Sequence, residues 1–233
     1  MKKFILLLLL SINVSASVSF EEFVNLKDAL YKAFEELNPD SENILTINLT
    51  YNMPENYWWS LDAVHASYTR SDNSHNIFLF GGFSRLGGMS LDGLAVTACH
   101  EIGHGIGNAP FKESGVSMEG QADYYATKTC LPVVFKYLEQ TVDTTKSDFN
   151  LELCKQSDDF DYCMRALTAL ESNIFFFETL GDITYFDTPS TDIAIELDYS
   201  PSYYPSAQCR IDTSLNGVLK LERPSCWYPE LNL

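Results

Sequence analysis

Two histidines and a glutamate lie within five consecutive residues of this chain, His100-Glu101-Ile102-Gly103-His104. On an α-helix, residues four apart share one face, so both imidazoles can reach one metal ion while Glu101 faces the open coordination position. The flanking residues are uncharged, which suits a helix buried beneath an active site. The pattern therefore predicts His100 and His104 as metal ligands and Glu101 as a general base.

A catalytic zinc site takes a third ligand from the protein and leaves one position for water. The chain follows the pattern H-E-x-x-H-x-x-G through Gly107, but Pro110 stands where one class of these sites has a third histidine, and proline cannot ligate. Glu119 and Asp123, one helical turn apart, supply the other common arrangement. We expect Glu119 to be the third ligand and Asp123 to accept the second ring N–H of a liganding histidine, for which the sequence favours His100.

The sequence HEIGH followed by EGQAD resembles the gluzincin metallopeptidases, whose signature is H-E-x-x-H followed by E-x-x-x-D. The resemblance implies a zincin-like α+β fold, one Zn²⁺ per chain, hydrolysis of peptide bonds, and a substrate-binding edge strand before the active-site helix. It implies the same roles for the two histidines, the two glutamates and the aspartate. Its motifs cover about residues 75 to 130, less than a third of the chain. The interval between His104 and Glu119 is short for the best-known gluzincins, which leaves little room for a substrate-binding insertion.

Further stretches, GGFSRLGGMSLDG, EGQADYYATKTCLP, AQCRID and RPSCWY, are similar to secreted bacterial zincin-like proteins without a settled function. The same ligand set would serve a zinc hydrolase of a non-peptide or cell-wall amide bond. A non-catalytic zincin-fold binding module is a third possibility, against which the intact Glu101 counts. A buried helix with two hydrogen-bonded histidines would need no metal at all.

Hydrolysis of an amide also needs a donor for the charge that develops on the carbonyl oxygen. Tyr204 and Tyr203 are candidates because they lie in an irregular tail that could fold over the site, and His75 is a third. Arg210, next to Cys209, either binds a substrate carboxylate or forms a structural ion pair.

The elements that must position these residues follow from caps and periodicity. Ser19 and Glu22 form a capping box for a helix that stops at Asn38-Pro39. Runs of β-branched and apolar residues predict strands at 44–51, 58–69 and 77–80, the last two forming a hairpin. Ser90 is a good N-cap for the buried helix that carries the motif. The predicted helices after the first are Leu94–Ile106, Ser117–Cys130 interrupted by Pro132, Tyr162–Thr179 and a short one within Ala207–Leu221.

These elements predict an α+β domain with a small, mostly antiparallel sheet packed on an active-site helix and a following glutamate-bearing helix. The domain spans residues 17–233, with an irregular C-terminal segment from about residue 181 that disulfides tie down. Residues 1–16 have two lysines, an apolar run and small residues near Ala16, as a signal peptide does. The apolar run is shorter than the ~20 residues of a membrane anchor. We expect an exported protein, periplasmic or extracellular.

Removal of the first 16 residues leaves 13 basic and 32 acidic residues, a net charge of 13 − 32 = −19. Such a surface repels nucleic acid and anionic membranes. The expected partner is a peptide or protein substrate, and the sequence does not define an oligomeric state.

Six cysteines in an oxidising compartment indicate disulfides, with 15 possible pairings. Asp123 must lie beside His100, so Cys130, about 10 Å further along its helix, comes near Cys99 if the two helices are antiparallel. We expect Cys99–Cys130, with the sequence neighbours Cys154–Cys163 and Cys209–Cys226 as the other pairs. A free, buried Cys99 is the alternative. A cysteine zinc site lacks the C-x-x-C spacing that would support it.

Overall fold

A computed structural model describes residues 17–40, 42–49, 53–54, 56–139 and 147–229. The predicted signal peptide lies outside the described residues, as do residues 50 and 51 of the first predicted strand. No helix within these ranges is long and apolar enough to cross a membrane. The elements in chain order are α1 (Phe20–Leu37), β1 (Ile44–Ile47), α2 (Tyr57–Ser60), β2 (Ala66–Ser71), β3 (Ser74–Leu79), α3 (Gly81–Ser84), α4 (Leu91–Ile106), α5 (Glu119–Tyr125), a π turn (Ala126–Cys130), α6 (Leu131–Tyr137), α7 (Asp148–Cys154), α8 (Phe160–Thr179) and α9 (Ala207–Val218).

Helix α1 begins as its sequence predicts. The Ser19 hydroxyl accepts from the Glu22 amide, and the Glu22 carboxylate accepts from the Ser19 amide, which completes the capping box. Its apolar face, including Leu26 and Leu30, is buried in the main core.

The sheet has three strands in the order β1-β3-β2. Strands β2 and β3 form the predicted antiparallel hairpin, but β1 and β3 are parallel, so the sheet is mixed and the expectation of a mostly antiparallel sheet holds for the hairpin alone. Strand β1 is followed by Asn48, which has a positive φ of 56° and whose side chain pairs with the backbone of Leu79. This side-chain pairing fixes the end of β1 against β3.

The predicted strand at 58–69 begins too early. Residues Tyr57–Ser60 form a helical turn instead, and the strand starts only at Ala66. Trp59 packs against Phe20 and Phe23 of α1, so tertiary packing decides the local conformation of an aromatic segment that favours a strand.

Helix α4 is the centre of the fold. Ser90 caps it as predicted, with its hydroxyl accepting from the Gly93 amide, and every residue from Leu91 to His104 is buried. The helix contacts α5, α8 and strand β2. A helix buried on all sides is apolar all round except where a site requires polar groups.

The predicted interruption of the second helix at Pro132 is wrong. Helix α5 passes through the π turn into α6, where Pro132 lies in the first turn. The change of hydrogen-bond register at the π turn places proline where its missing N–H is not needed.

The sequence also did not indicate α7. By contrast, α8 and α9 lie close to their predicted positions, and residues 181–206 form no helix or strand, as expected of an irregular C-terminal segment. The three disulfides have the expected pairing, Cys99–Cys130, Cys154–Cys163 and Cys209–Cys226. The result is a mixed α and β domain whose C-terminal helix is covalently tied to the residues that follow it.

Candidate metal centre

Helices α4 and α5 bring three buried metal-binding side chains together. The Nε2 atom of His100 is 3.3 Å from Glu119 Oε2, and the Nε2 atom of His104 is 3.5 Å from Glu119 Oε1. One donor atom from each residue lies within 4.8 Å of the others. In the described part of the chain, this is the one group of three or more His, Cys, Asp or Glu residues with that property.

The helices approach closely enough for this because α4 has glycine at the contact. A Cβ atom at Gly103 would meet Cα and the carbonyl oxygen of Ala122 at 3.0 Å. Glu119 stands at the start of α5 and Asp123 one turn later, so both face α4.

The outer nitrogen of each histidine is already hydrogen-bonded. Nδ1 of His104 donates to the Ser117 carbonyl at 2.9 Å, and Nδ1 of His100 lies 2.7 Å from Asp123 Oδ1. These bonds orient both rings so that the Nε2 atoms face Glu119, as the outer partners of metal-bound histidines orient their rings. Two imidazoles and one carboxylate form a ligand set that suits zinc.

Asp123 is in turn held by Arg210 from α9. The guanidinium donates through Nε to Oδ2 at 2.8 Å and through Nη2 to Oδ1 at 2.9 Å. Burial alone would raise the pKa of Asp123, but Arg210 and His100 outweigh it and lower the pKa. Arg210 therefore forms the structural ion pair that was one of its two predicted roles.

The charges of the cluster act strongly on the two histidines. Burial lowers the pKa of His100, but Asp123 and Glu119 outweigh it and raise that pKa to about 10. Burial and the neighbouring His100 lower the pKa of His104 to about 4. A ligand imidazole must give up the proton on its metal-binding nitrogen, so a proton and a metal ion compete for His100.

Glu101 lies beside this cluster and is buried. Burial, opposed by the positive charge of His100 and assisted by the nearby Glu119 carboxylate, raises the pKa of its carboxyl to about 7. Within the described residues no hydrogen bond engages the carboxylate. It lines the same cavity as the three candidate ligands. A carboxyl in that state can exchange a proton near neutral pH.

Lys112 is the residue of this site that sequence reasoning missed. Its buried ammonium donates to Glu119 Oε1 at 2.7 Å and to the Pro201 carbonyl at 3.1 Å, and lies 4.7 Å from the centre of the Tyr204 ring. The lysine lies in the sequence KESG, which is typical of a solvated turn. Its role depends on the distant C-terminal segment, so no local signal could have indicated it.

A cavity of about 400 Å³ opens over the cluster. Residues 64–68 at the edge of the sheet form one side, α4 the floor, α8 another side, and Pro201, Tyr204 and Arg210 of the C-terminal region complete it. That volume lies within the range of about 300–1,000 Å³ typical of ligand pockets.

The three candidate oxyanion donors differ in their positions relative to the cavity. Tyr204 lines the cavity, where burial and Glu119 raise the pKa of its hydroxyl. Tyr203 is not part of the cavity wall. His75 packs against Phe34 behind the wall, and its Nδ1 is 2.9 Å from the Tyr68 hydroxyl.

No protein-family model matches this chain, and comparisons with curated proteins and with solved structures found no match.

Proposed function

We propose that this chain is an exported zinc-dependent peptidase of the gluzincin type, acting in the periplasm or outside the cell. The observation that carries the proposal is the presence of Glu101, buried and without a hydrogen-bond partner among the described residues, in the same cavity as the three candidate ligands. In a purely structural cluster, the carboxyl group of Glu101 would have no function. The three disulfides are consistent with an oxidising compartment.

His100, His104 and Glu119 would hold the zinc ion. When bound, zinc lowers the pKa of a water molecule towards neutrality and polarises a carbonyl group. Glu101 takes the proton of the attacking water and later delivers it to the leaving amine. Asp123 and Ser117 keep the two imidazole rings in place, and Tyr204 or Lys112 can donate to the developing oxyanion.

Two other functions use the same site. A zinc hydrolase of a non-peptide or cell-wall amide would need the same ligands and the same base. A zincin-fold binding module would need the cavity but not Glu101. The peptidase is preferred because an open cavity beside an edge strand can hold an extended peptide segment.

The test is cleavage of a quenched-fluorescent peptide library by the zinc-loaded chain from residue 17, with and without a chelator. The matched control is Glu101→Gln, which we expect to keep one zinc ion per chain and to lose turnover, because an amide cannot take the proton. Equal cleavage by the control would rule out the mechanism. No cleavage of peptides by the zinc-loaded protein, with release of free amines and carboxylates from cell-wall fragments, would favour the second function.

A further inference from the structure

The first turn of α5 carries a candidate metal ligand but has no side-chain cap. Glu119 is its first residue, and the preceding Met118 makes no side-chain hydrogen bond to the helix. Helix ends have backbone N–H groups without partners inside the helix, and they fray where nothing packs on them. The position of the Glu119 carboxylate therefore depends on the residues that pack against this turn.

Residues 221–228, which follow α9, pack on the first turn of α5. A Cβ atom at Gly120 would lie 2.3 Å from two atoms of the Trp227 ring, so the indole lies directly against the backbone of the residue after Glu119. Gly120 and Tyr124 lie on a different face of α5 from Glu119 and Asp123. The 221–228 segment thus supports α5 on one face while the candidate ligand lies on another.

Packing rather than hydrogen bonding holds the Trp227 ring. The residue is only 1% exposed, and its Nε1 atom has no hydrogen-bond partner among the described residues. The ring packs with Cys209 and Cys226 in a small apolar cluster of its own, and these two cysteines form a disulfide. The disulfide anchors the ring to α9, the helix from which Arg210 holds Asp123.

Two links extend the contact on either side of the ring. Arg223 Nε donates to Gln121 Oε1 at 2.7 Å, and Gln121 Nε2 donates to the Gly107 carbonyl at 2.6 Å, directly after α4. The Tyr124 hydroxyl donates to the Leu221 carbonyl at 2.5 Å. The segment therefore connects α5 to the end of the helix that carries both candidate histidine ligands.

We propose that Trp227 is a positioning residue for the metal centre. Its ring fixes the backbone at Gly120 and thereby the carboxylate of Glu119. Because distances between a metal and its ligands vary by only about 0.2 Å, a small shift of this turn lowers the metal affinity. The inference rests on the metal centre of the proposed function, and Trp227 itself does not line the cavity.

Zinc dissociation constants of Trp227→Leu and Trp227→Phe test the proposal, measured where circular dichroism shows every variant folded. We expect Trp227→Leu to bind zinc about tenfold more weakly, the lower end of the range for a group that supports a ligand. Trp227→Phe keeps a ring against Gly120 and should lose less than about threefold. Trp59→Leu is the matched control, because that indole packs on Phe20 and Phe23 of α1, and it should leave the zinc affinity unchanged.

A double-mutant cycle with Glu119→Ala separates positioning from a general loss of structure. If Trp227 acts through Glu119, then Trp227→Leu has no further effect on zinc affinity once the ligand has been removed. Gly120→Ala crowds the same contact from the α5 side and should also weaken zinc binding about tenfold, although alanine favours a helix. This variant keeps the proposal testable if Trp227→Leu does not fold.

The proposal is overturned if Trp227→Leu and Gly120→Ala bind zinc as tightly as the unaltered protein. It is also overturned if Trp227→Leu weakens zinc binding equally with and without Glu119. Failure of the proposed function is a separate result, in which the zinc-loaded protein cuts no peptide while the Trp227 variants still differ in zinc affinity. An unaltered chain that binds no zinc would overturn both.

Discussion

Asp123 connects the candidate metal ligands to the C-terminal part of the chain. Its Oδ1 atom is shared by His100 Nδ1 and Arg210 Nη2, and its Oδ2 atom accepts from Arg210 Nε. Removing the carboxylate would leave a buried guanidinium without its counter-charge, which is strongly destabilising. Asp123 thus serves the fold as well as the site.

Glu119→Gln and Asp123→Asn distinguish a metal ligand from a residue that orients a ligand, because both substitutions keep the side-chain shape. We expect Glu119→Gln to lose more than about 100-fold in zinc affinity and Asp123→Asn about 10–100-fold, as is typical for a group that supports a ligand. Zinc dissociation constants, measured by competition with a chromophoric chelator, show which variant loses more zinc affinity. The reverse order would show that the ligand and its support are exchanged.

The sequence could predict five residues of this site because they lie on two adjacent helical segments, where spacing determines which side chains share a face. It could not predict Lys112, because Lys112 acquires its role from Pro201 and that contact has no local signature. Arg210 could be noted from its place beside Cys209, but its partner could not.

The crossing of α4 and α8 depends on a small residue in the first turn of α4. A Cβ atom at Gly93 would lie 2.4 Å from the Ser172 Cβ atom and 3.1 Å from the Ala169 carbonyl oxygen. The backbone carbonyl cannot turn aside, so the helices must separate to accept a larger residue.

Gly93→Ala should therefore destabilise the fold although alanine favours a helix. Overpacking costs about 1–3 kcal/mol, and a contact of 2.4 Å belongs at the upper end of that range. Helix propensity offsets about 1 kcal/mol, so we expect a net loss of about 2 kcal/mol. Gly87→Ala is the control, since a Cβ atom added there would meet nothing within 4 Å and the free energy of unfolding should change by less than about 0.5 kcal/mol. Urea unfolding measures both, and equal stabilities of the two variants would contradict the packing argument.

The disulfides differ in the length of chain they close. Cys99–Cys130 spans 31 residues and Cys154–Cys163 spans nine. In the chain-entropy model, the first contributes about 4 kcal/mol and the second about 2.5 kcal/mol.

Replacing each pair by alanines should therefore lower the free energy of unfolding more for Cys99 and Cys130. Only that pair should also weaken zinc binding, because Cys99 precedes His100 and the bond ties α4 to the end of the π turn that follows α5. Chemical denaturation and zinc titration of the two double variants test this. Equal zinc affinities would show that the helices hold the ligands without the bond.

Elements with a local cap or an unbroken apolar period could be predicted, as α1, α4 and α8 illustrate. Where tertiary contacts determine the local backbone conformation, the prediction of secondary structure was wrong. The segment around Trp59 forms a helical turn because its rings pack on α1, and Pro132 lies inside a continuous helical run because the π turn precedes it. The parallel pairing of β1 with β3 depends on where α1 ends relative to the sheet. No residue of β1 indicates that position.

The whole molecule is strongly acidic, with a net charge of −17 over its full sequence. Fewer than half of the 32 acidic residues can be paired with the 15 lysines and arginines, so repulsion opposes the compact state. The Debye length falls from about 30 Å at 0.01 M salt to about 8 Å at 0.15 M.

The urea midpoint should accordingly rise between those two salt concentrations, with an unchanged slope. Sodium chloride and choline chloride should act alike, because screening depends on ionic strength rather than on the cation. A rise with sodium alone would point to a bound ion and against repulsion as the cause.

Because the C-terminal region forms part of the cavity, the site is completed only after the ligand helices have been synthesised. Arg210, the counter-charge of Asp123, follows Glu119 by 210 − 119 = 91 residues. At about 5–20 residues per second, the ligand helices leave the ribosome roughly 5–20 s before Arg210 does. During that interval Asp123 has no guanidinium to face, and the cavity lacks the side formed by Pro201 and Tyr204. The candidate metal ligands are thus synthesised before the C-terminal residues that complete the cavity. Any chemistry at the site therefore has to wait until synthesis is nearly finished.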